Sequence, residues 1–252
     1  MHQEALSYAI KLIRDCGEML RENVHHHVDM KEGCYDLVSD MDRYVETYLV
    51  TKLTERYPNH TLLCEEGVKQ LSEDTWIIDP IDGTTNFIHK HQDFAISIAY
   101  YHQYQPVFGL VYDVMNNQLY TGIHGKGAFL NDKPLACVQE PLLSEAIVDV
   151  SMHTMHTIWK RTGKQLFELQ GKIRGHHSLG CASLCIAHIC DHTLDAYIST
   201  NVKCWDYAAA SILLQEAGGY QIYHGTFFST QAISAVFSNS QMVLHTLSSY
   251  CK

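Results

Sequence analysis

Apolar residues recur at helical spacing from the first turns of the chain. Leu6, Ala9, Ile10, Ile13, Cys16 and Leu20 form one stripe and predict an amphipathic helix over 2–24. A polar stretch follows, and a second stripe of Met41, Val45, Leu49 and Leu53 predicts a helix from about Ser39 to the stop signal Tyr57-Pro58-Asn59. The period then changes to that of strands. Residues 61–64 and 75–78 are short apolar runs, 94–101 alternates, and 107–112 with 118–122 read as a hairpin around Asp113–Asn117. Asn131-Asp132 carries turn chemistry.

Beyond about residue 140 strands and helices alternate. Strands are expected at 146–150, 194–199, 220–223 and 233–238. Helices are expected at 154–170, 181–192, 205–217 (stopping at Gly218-Gly219) and from Gln241 onward. The first part, 1–140, reads as α+β and the second, 141–252, as α/β. No linker or repeat separates them, so two packed subdomains in one unit are expected.

Composition narrows the function. A chain of 252 residues with 46% hydrophobic content can build a substantial core. A formal net charge of −10 argues against a nucleic-acid groove and an anionic membrane surface. No run reaches the roughly 18 apolar residues that a membrane helix needs. Nine cysteines without a Cys-x-x-Cys pair read as structural thiols, with a reducing cytoplasm as the expected compartment. Gly125-Lys126-Gly127 lacks the spacing of a P-loop, and no nucleophile elbow occurs.

The candidate chemistry lies in acids placed just after apolar runs. Glu65 and Glu66 follow one strand, Asp79 and Asp82 another, and Asp206 opens a helix. Taken singly these are a solvated loop, a turn and a helix cap. Together they can converge. Pro80 fits the second position of a β-turn from Asp79 to Asp82, which would face the two carboxylates and turn the Ile81 carbonyl outward. Such oxygen ligands suit Mg²⁺ better than Zn²⁺, and a cation would relieve the repulsion among them. Gly83 permits a close backbone approach. Thr84-Thr85-Asn86 looks like a helix opening whose free N–H groups favour a phosphate. Ser39-x-x-Asp42 reads as a capping box.

Glu65-Glu66-Gly67, the run 76–87 and "WDYAAASILLQEAGG" from Trp205 resemble the inositol monophosphatase family of Mg²⁺-dependent, lithium-sensitive phosphatases. The resemblance runs in order along nearly the whole chain. It implies a layered α-β-α-β-α sandwich of the inositol monophosphatase and fructose-1,6-bisphosphatase type, usually a homodimer. It implies two or three Mg²⁺ held by Glu65, Asp79, the Ile81 carbonyl, Asp82 and Asp206, with Glu66 behind them and Lys31 on a loop beside them. Thr84 and Asp42 would orient and deprotonate the attacking water; for Asp42 the capping role stands beside this one. Gly83 and Thr84 would bind phosphate, and Ala182, Ser199 and Asp206 would meet the substrate. Cys64, Cys181, Ser199 and His177 replace residues common in the family. These changes spare the metal ligands and fall largely on the leaving-group side.

The expected activity is hydrolysis of a small phosphate monoester, with inositol monophosphate the best match. Fructose 1,6-bisphosphate, a nucleotide 3′-phosphate and NADP⁺ are alternatives. A non-catalytic binding protein on the same fold is the other class, but it should have lost a ligand carboxylate or Thr84. His25–His27 could bind a metal, and His176-His177 could touch substrate, though solvated surface is the plainer reading of both.

Overall fold

The computed structural model describes residues 2–22, 28–30, 37–67, 69–136 and 139–252, without the side chains of 28–30 and 37–38. Lys31 and His25–His27 lie outside the described residues. The helices are α1 (His2–Glu22), α2 (Asp40–Arg56), α3 (Thr84–Lys90), α4 (Met152–Thr162), α5 (Ala182–Cys190), α6 (Cys204–Glu216) and α7 (Gln241–Ser248). In the first part of the chain the strands are β1 (Val28–Met30), β2 (Leu37–Ser39), β3 (Thr61–Cys64), β4 (Asp74–Asp82), β5 (Ala95–His102), β6 (Gln105–Asp113), β7 (Gln118–Ile123), β8 (Gly127–Leu130) and β9 (Lys133–Pro134). The second part adds β10 (Ile147–Val150), β11 (Gly175–His177), β12 (Ala196–Val202), β13 (Tyr220–His224) and β14 (Ile233–Ser238).

Strands β3 to β9 form a seven-stranded sheet in sequence order, parallel only at β3/β4. A five-stranded sheet has the order β11-β10-β12-β14-β13, and β1 pairs with β2 alone. The stripe on α1 and the stripe on α2 pack with Trp76, Ile78, Ile96, Ile98 and Leu110 on one face of the large sheet. Ile77, Ala99 and Val111 point the other way, into a layer of α5 and α6 that also meets Ala235 and Phe237 of the small sheet. Val148, Ile198 and Val236, on the outer face of that sheet, pack with Ile158 of α4 and Val243 and Leu247 of α7. The layers therefore run α-β-α-β-α.

This layering explains the apolar run at 75–78. Both faces of β4 are covered, so the run is continuous rather than alternating. Helix α6 is buried all round from Cys204 to Leu214, apart from half-exposed Asp206, because it lies between two sheets. Its small residues let it press onto glycines of the large sheet.

Two details differ from expectation. No β-turn forms at Asp79–Asp82. β4 continues through Pro80 to Asp82, with a register irregularity against β5 between the two aspartates and an Ile81 N–H bond to Asp79 Oδ1 of 3.1 Å. The helix expected over 154–170 ends at Thr162, because Gly163 adopts φ 75° and closes it with a bond to the Trp159 carbonyl. A short 3₁₀ turn at Leu166–Leu169 follows.

A Cβ at Gly109 would stand 2.1 Å from the Ala209 carbonyl oxygen of α6, a backbone atom that cannot turn aside. Gly109→Ala is therefore expected to cost about 3 kcal/mol, the upper end for overpacking. Thermal unfolding checks it through a Tm about 6–12 °C below the parent's.

Candidate active site

The candidate residues meet where the large sheet faces the α5/α6 layer. β3 and β4 are parallel, with Cys64 opposite Ile78, so Glu65 leaves its strand beside Asp79. The Glu65 N–H bonds the Ile78 carbonyl at 3.3 Å, and the two carboxyls share a hydrogen bond. Asp206 arrives from the start of α6, where its Oδ2 accepts the Lys203 N–H at 2.8 Å. Asp82, at the end of β4, is held by the start of α5. Its Oδ1 accepts the Ala182 N–H at 3.2 Å, and its Oδ2 accepts the Ser183 N–H at 2.6 Å and the Cys181 thiol at 3.2 Å.

The charges crowd one another. Burial and the carboxylates of Glu65, Asp82 and Asp206 push the Asp79 carboxyl well above its usual range. Asp206 is half-exposed, yet the protein encloses its carboxyl; desolvation, then Glu65 and Asp82, raise it strongly. Burial raises Asp82 too, against the opposing pull of its α5 donors. Among the described residues no three His, Cys, Asp or Glu groups stand as a finished metal cage. The cluster is a set of oxygen donors with a surplus of negative charge, which a hard cation could neutralise.

Gly83 adopts φ 88°, and a Cβ there would lie 3.1 Å from Cys181 Cβ and 3.2 Å from the Asp93 carbonyl, so both conformation and space require glycine. It caps α3, so Thr84 opens that helix as its first residue. The Thr84 hydroxyl lies 3.1 Å from Asp42 Oδ1 and 3.0 Å from the Ile81 carbonyl oxygen. The other Asp42 oxygen, Oδ2, accepts the Ser39 N–H at 2.8 Å and the Ser39 hydroxyl, completing the capping box of α2. The cap and the Thr84 contact thus use different oxygens of one carboxyl. Burial lifts Asp42 to about 6, against the pull of Ser39 and with help from Glu66 and Glu65.

Other residues take supporting places. The Glu66 N–H bonds Glu46 Oε2 at 2.7 Å. Ser199 is buried on β12, two residues along the same strand face from Tyr197; its hydroxyl accepts the Asn201 N–H at 3.2 Å. Tyr197 is close enough to feel the charges of Asp82 and Asp206. His177 is exposed near Asp149, while His176 bonds the Val150 carbonyl; no hydrogen bond joins either histidine to the four carboxylates. Three supports were missed from sequence. Glu46 resembled any other polar position of α2. Asp149, whose Oδ2 accepts the Leu179 N–H at 2.7 Å, was visible as an acid inside an apolar strand. Asn86 donates to the Asp93 and Leu179 carbonyls at 2.8 Å each and ties the two chain parts together.

A model of the inositol monophosphatase family matches residues 1–247. The chain belongs to that family. It is 35% identical over 237 residues to the Inositol-1-monophosphatase of Bacillus subtilis (strain 168), covering 90% of this chain and 89% of that protein. The Thermotoga maritima IMPase structure superposes with a TM-score of 0.84 at 27% identity, covering 98% of both chains. SaIMPase-II with inositol monophosphate bound gives a TM-score of 0.82 at 26% identity, covering 98% of this chain and 93% of the other; the same enzyme is also known with 2′AMP bound. Inositol monophosphatases are phosphoric monoester hydrolases, and the layered fold agrees with that of the family.

The raised carboxyls make stability depend on pH. A folded-state pKa above the unfolded one means the folded protein holds protons more tightly, so the contribution is full at low pH and fades as pH rises. In chelator the Tm is expected to fall from pH 5 to pH 8, as Asp42, which burial lifts to about 6, loses its proton. The gain in Tm on adding Mg²⁺ is expected to be larger at pH 8, where fewer protons compete with the cation. Differential scanning fluorimetry at both pH values, with and without Mg²⁺, measures both trends.

Proposed function

We propose that the chain is a Mg²⁺-dependent phosphate monoesterase that acts on inositol monophosphate by in-line attack of water. The observation that carries this reading is the Thr84 hydroxyl, held by Asp42 at the edge of a cluster of four carboxylates. Glu65, Asp79, the Ile81 carbonyl, Asp82 and Asp206 fit a hard divalent ion, because they offer oxygen atoms and a surplus of negative charge. Two or three Mg²⁺ bound there supply neutralisation of the phosphate oxygens and a water of lowered pKa.

The protein's own groups do the rest. The Thr84 hydroxyl has one proton and two acceptors, Asp42 Oδ1 and the Ile81 carbonyl. Were that carbonyl to help hold the cation, Asp42 Oδ1 would be the acceptor left for the proton. The Thr84 oxygen is then free to accept a hydrogen bond from the attacking water, and the water's proton moves by way of Thr84 to Asp42. A carboxyl at about 6 suits a base working near neutrality. The Gly83 and Thr84 N–H groups hold the phosphate. Ala182, Ser199 and Asp206 would face the leaving alcohol, with Glu66 behind the cluster; a role for Lys31 rests on the family resemblance alone.

The two chain parts, 1–140 and 141–252, are read as subdomains that share this site, and the protein as a homodimer. Among the described residues no helix is long and apolar enough to cross a membrane. The described cysteines are free thiols, in keeping with a reducing, cytoplasmic setting. 2′AMP bound to a relative favours a second reading, in which the alcohol is a nucleotide rather than a polyol.

Phosphate release from a panel of inositol, sugar and nucleotide monophosphates tests the reading. Inositol monophosphate is expected to rank first, with turnover lost in excess chelator and restored by Mg²⁺. Turnover undiminished in chelator would remove the metal from the reaction.

Thr84→Ala is expected to lower kcat about 10²–10⁴-fold with a smaller change in KM, since the hydroxyl acts mainly in the transition state. Asp42→Asn should lose a similar factor, and the double variant little more, because the two act as one unit. Steady-state kinetics of the three variants decide it. Independent, multiplicative losses would break the Thr84–Asp42 pair.

A further inference from the structure

A second polar cavity lies at the end of the five-stranded sheet away from Ser199. β10 runs between β11 and β12, and the residues just before those two strands bond its start. The Arg174 N–H bonds the Ala146 carbonyl at 2.9 Å, and the Asp195 N–H bonds the Ile147 carbonyl at 2.9 Å. Arg174 and Asp195 thus stand on opposite sides of β10, about 10 Å apart at two strand spacings. Asn239 follows β14 and joins them there, since its N–H bonds the Asp195 carbonyl at 3.1 Å. These three line a cavity of about 370 Å³ with Glu140, Glu145 and His192. Asp195 precedes Ser199 by four residues, about 13 Å of extended chain, so the cavity is separate from the candidate active site.

Asn239 shows that something is missing there. It is 1% exposed, and its Oδ1 is buried without a hydrogen-bond donor among the described residues. Turning the amide over does not cure this. Its Nδ2 donates to Asp195 Oδ1 at 2.8 Å, and the reversed amide would set its oxygen against a carboxylate oxygen. Asp195 is fixed in turn, because its Oδ2 accepts the Ile147 N–H at 2.8 Å. A buried acceptor left unmet is costly, so it marks a place for a donor that the chain itself does not supply.

The other walls specify the donor. Glu140, Glu145 and Asp195 bring three carboxylates to the cavity, against the guanidinium of Arg174 and the His192 ring. Glu140 accepts the Tyr220 hydroxyl at 2.5 Å and Glu145 the Leu142 N–H at 3.0 Å, so both are held in place. Among the described residues no hydrogen bond or ion pair takes up the Arg174 guanidinium. An open planar fork suits a carboxylate, whereas the surplus of acids and the Asn239 oxygen suit cationic donors. A bare metal ion fits poorly. No three His, Cys, Asp or Glu groups among the described residues cage one, and a guanidinium shares the space. The volume lies at the lower end of the roughly 300–1,000 Å³ of small-ligand pockets. We propose that the cavity binds a free amino acid with a cationic side chain. Its carboxylate meets Arg174, and its two cationic groups meet Asn239 with Asp195 and Glu140 with Glu145. The site is independent of the phosphatase reading.

Isothermal titration calorimetry with L-lysine and three relatives tests this. L-Norleucine lacks the side-chain cation, cadaverine lacks the carboxylate, and Nα-acetyl-L-lysine lacks the α-ammonium. L-Lysine is expected to bind about tenfold tighter than each, the lower end for a hydrogen bond to a charged group. Arg174→Met, at an exposed position, should weaken L-lysine to the level of cadaverine, leave cadaverine unchanged and leave inositol monophosphate hydrolysis unchanged. The Glu140→Gln, Glu145→Gln double variant keeps an acceptor at each place and should bring L-lysine down to L-norleucine. Asn239→Ala should bring L-lysine down to its Nα-acetyl derivative, and thermal melts verify that each variant is folded. No binding of L-lysine at millimolar concentration overturns the proposal and leaves the Asn239 oxygen to a buried water. Cadaverine binding as tightly as L-lysine overturns it by reducing the cavity to a patch of acids. L-Norleucine binding as tightly as L-lysine overturns the cationic side chain. L-Lysine binding that survives Arg174→Met intact lies elsewhere and overturns the site.

Discussion

Repulsion among buried carboxylates is the constraint that the rest of this structure answers. Two unit charges about 4 Å apart in a partly screened setting repel by about 4 kcal/mol. That is a large share of the roughly 5–15 kcal/mol by which a domain is stable. A loop could not hold Glu65, Asp79, Asp82 and Asp206 together against it. The protein uses elements that cannot yield: a parallel strand pair buried in the large sheet, and a helix enclosed between two sheets.

Helix starts offset part of the repulsion. Asp42 lies in the first turn of α2, and Asp206 in the first turn of α6. Asp82 takes N–H groups from the first turn of α5. The unpaired N–H groups and the dipole at such ends favour negative charge by a few tenths of a kcal/mol to about 2 kcal/mol each. Three of the acids at the site therefore rest on helix starts. The Asp42 carboxyl shows how closely structure and chemistry are joined: one oxygen fixes α2 and the other receives Thr84.

Much of this was legible in the chain. The stripes of α1 and α2, the hairpin and the enclosed strand before Asp79 follow from hydrophobic spacing, since each element presents a simple face to one neighbour. Asp79, Asp82 and Asp206 stood out as acids directly after apolar runs or at helix starts. The route of the backbone through Pro80 was not legible. A Pro-Ile pair between acids suits a turn locally, and pairing with β5, which keeps the strand extended, is a long-range effect. The end of α4 at Gly163 was missed because apolar spacing continues into the 3₁₀ turn. Glu46, Asp149 and Asn86 work through partners distant in sequence, and no local pattern marks such partners.

Asn86 also has a consequence for the order in which the molecule is made. Its amide joins carbonyls at Asp93 and Leu179, the second 93 residues further along the chain. At about 5–20 residues per second, roughly 5–19 s of synthesis separate the two ends of that contact. Asp206 and the whole of α6 emerge later still. Through that interval the nascent large sheet has one face covered by α1 and α2, and the other bare along Ile77, Ala99 and Val111, with open grooves at Gly109 and Gly122. On the ribosome, the same surface that later seats α6 is an apolar face in need of chaperone cover.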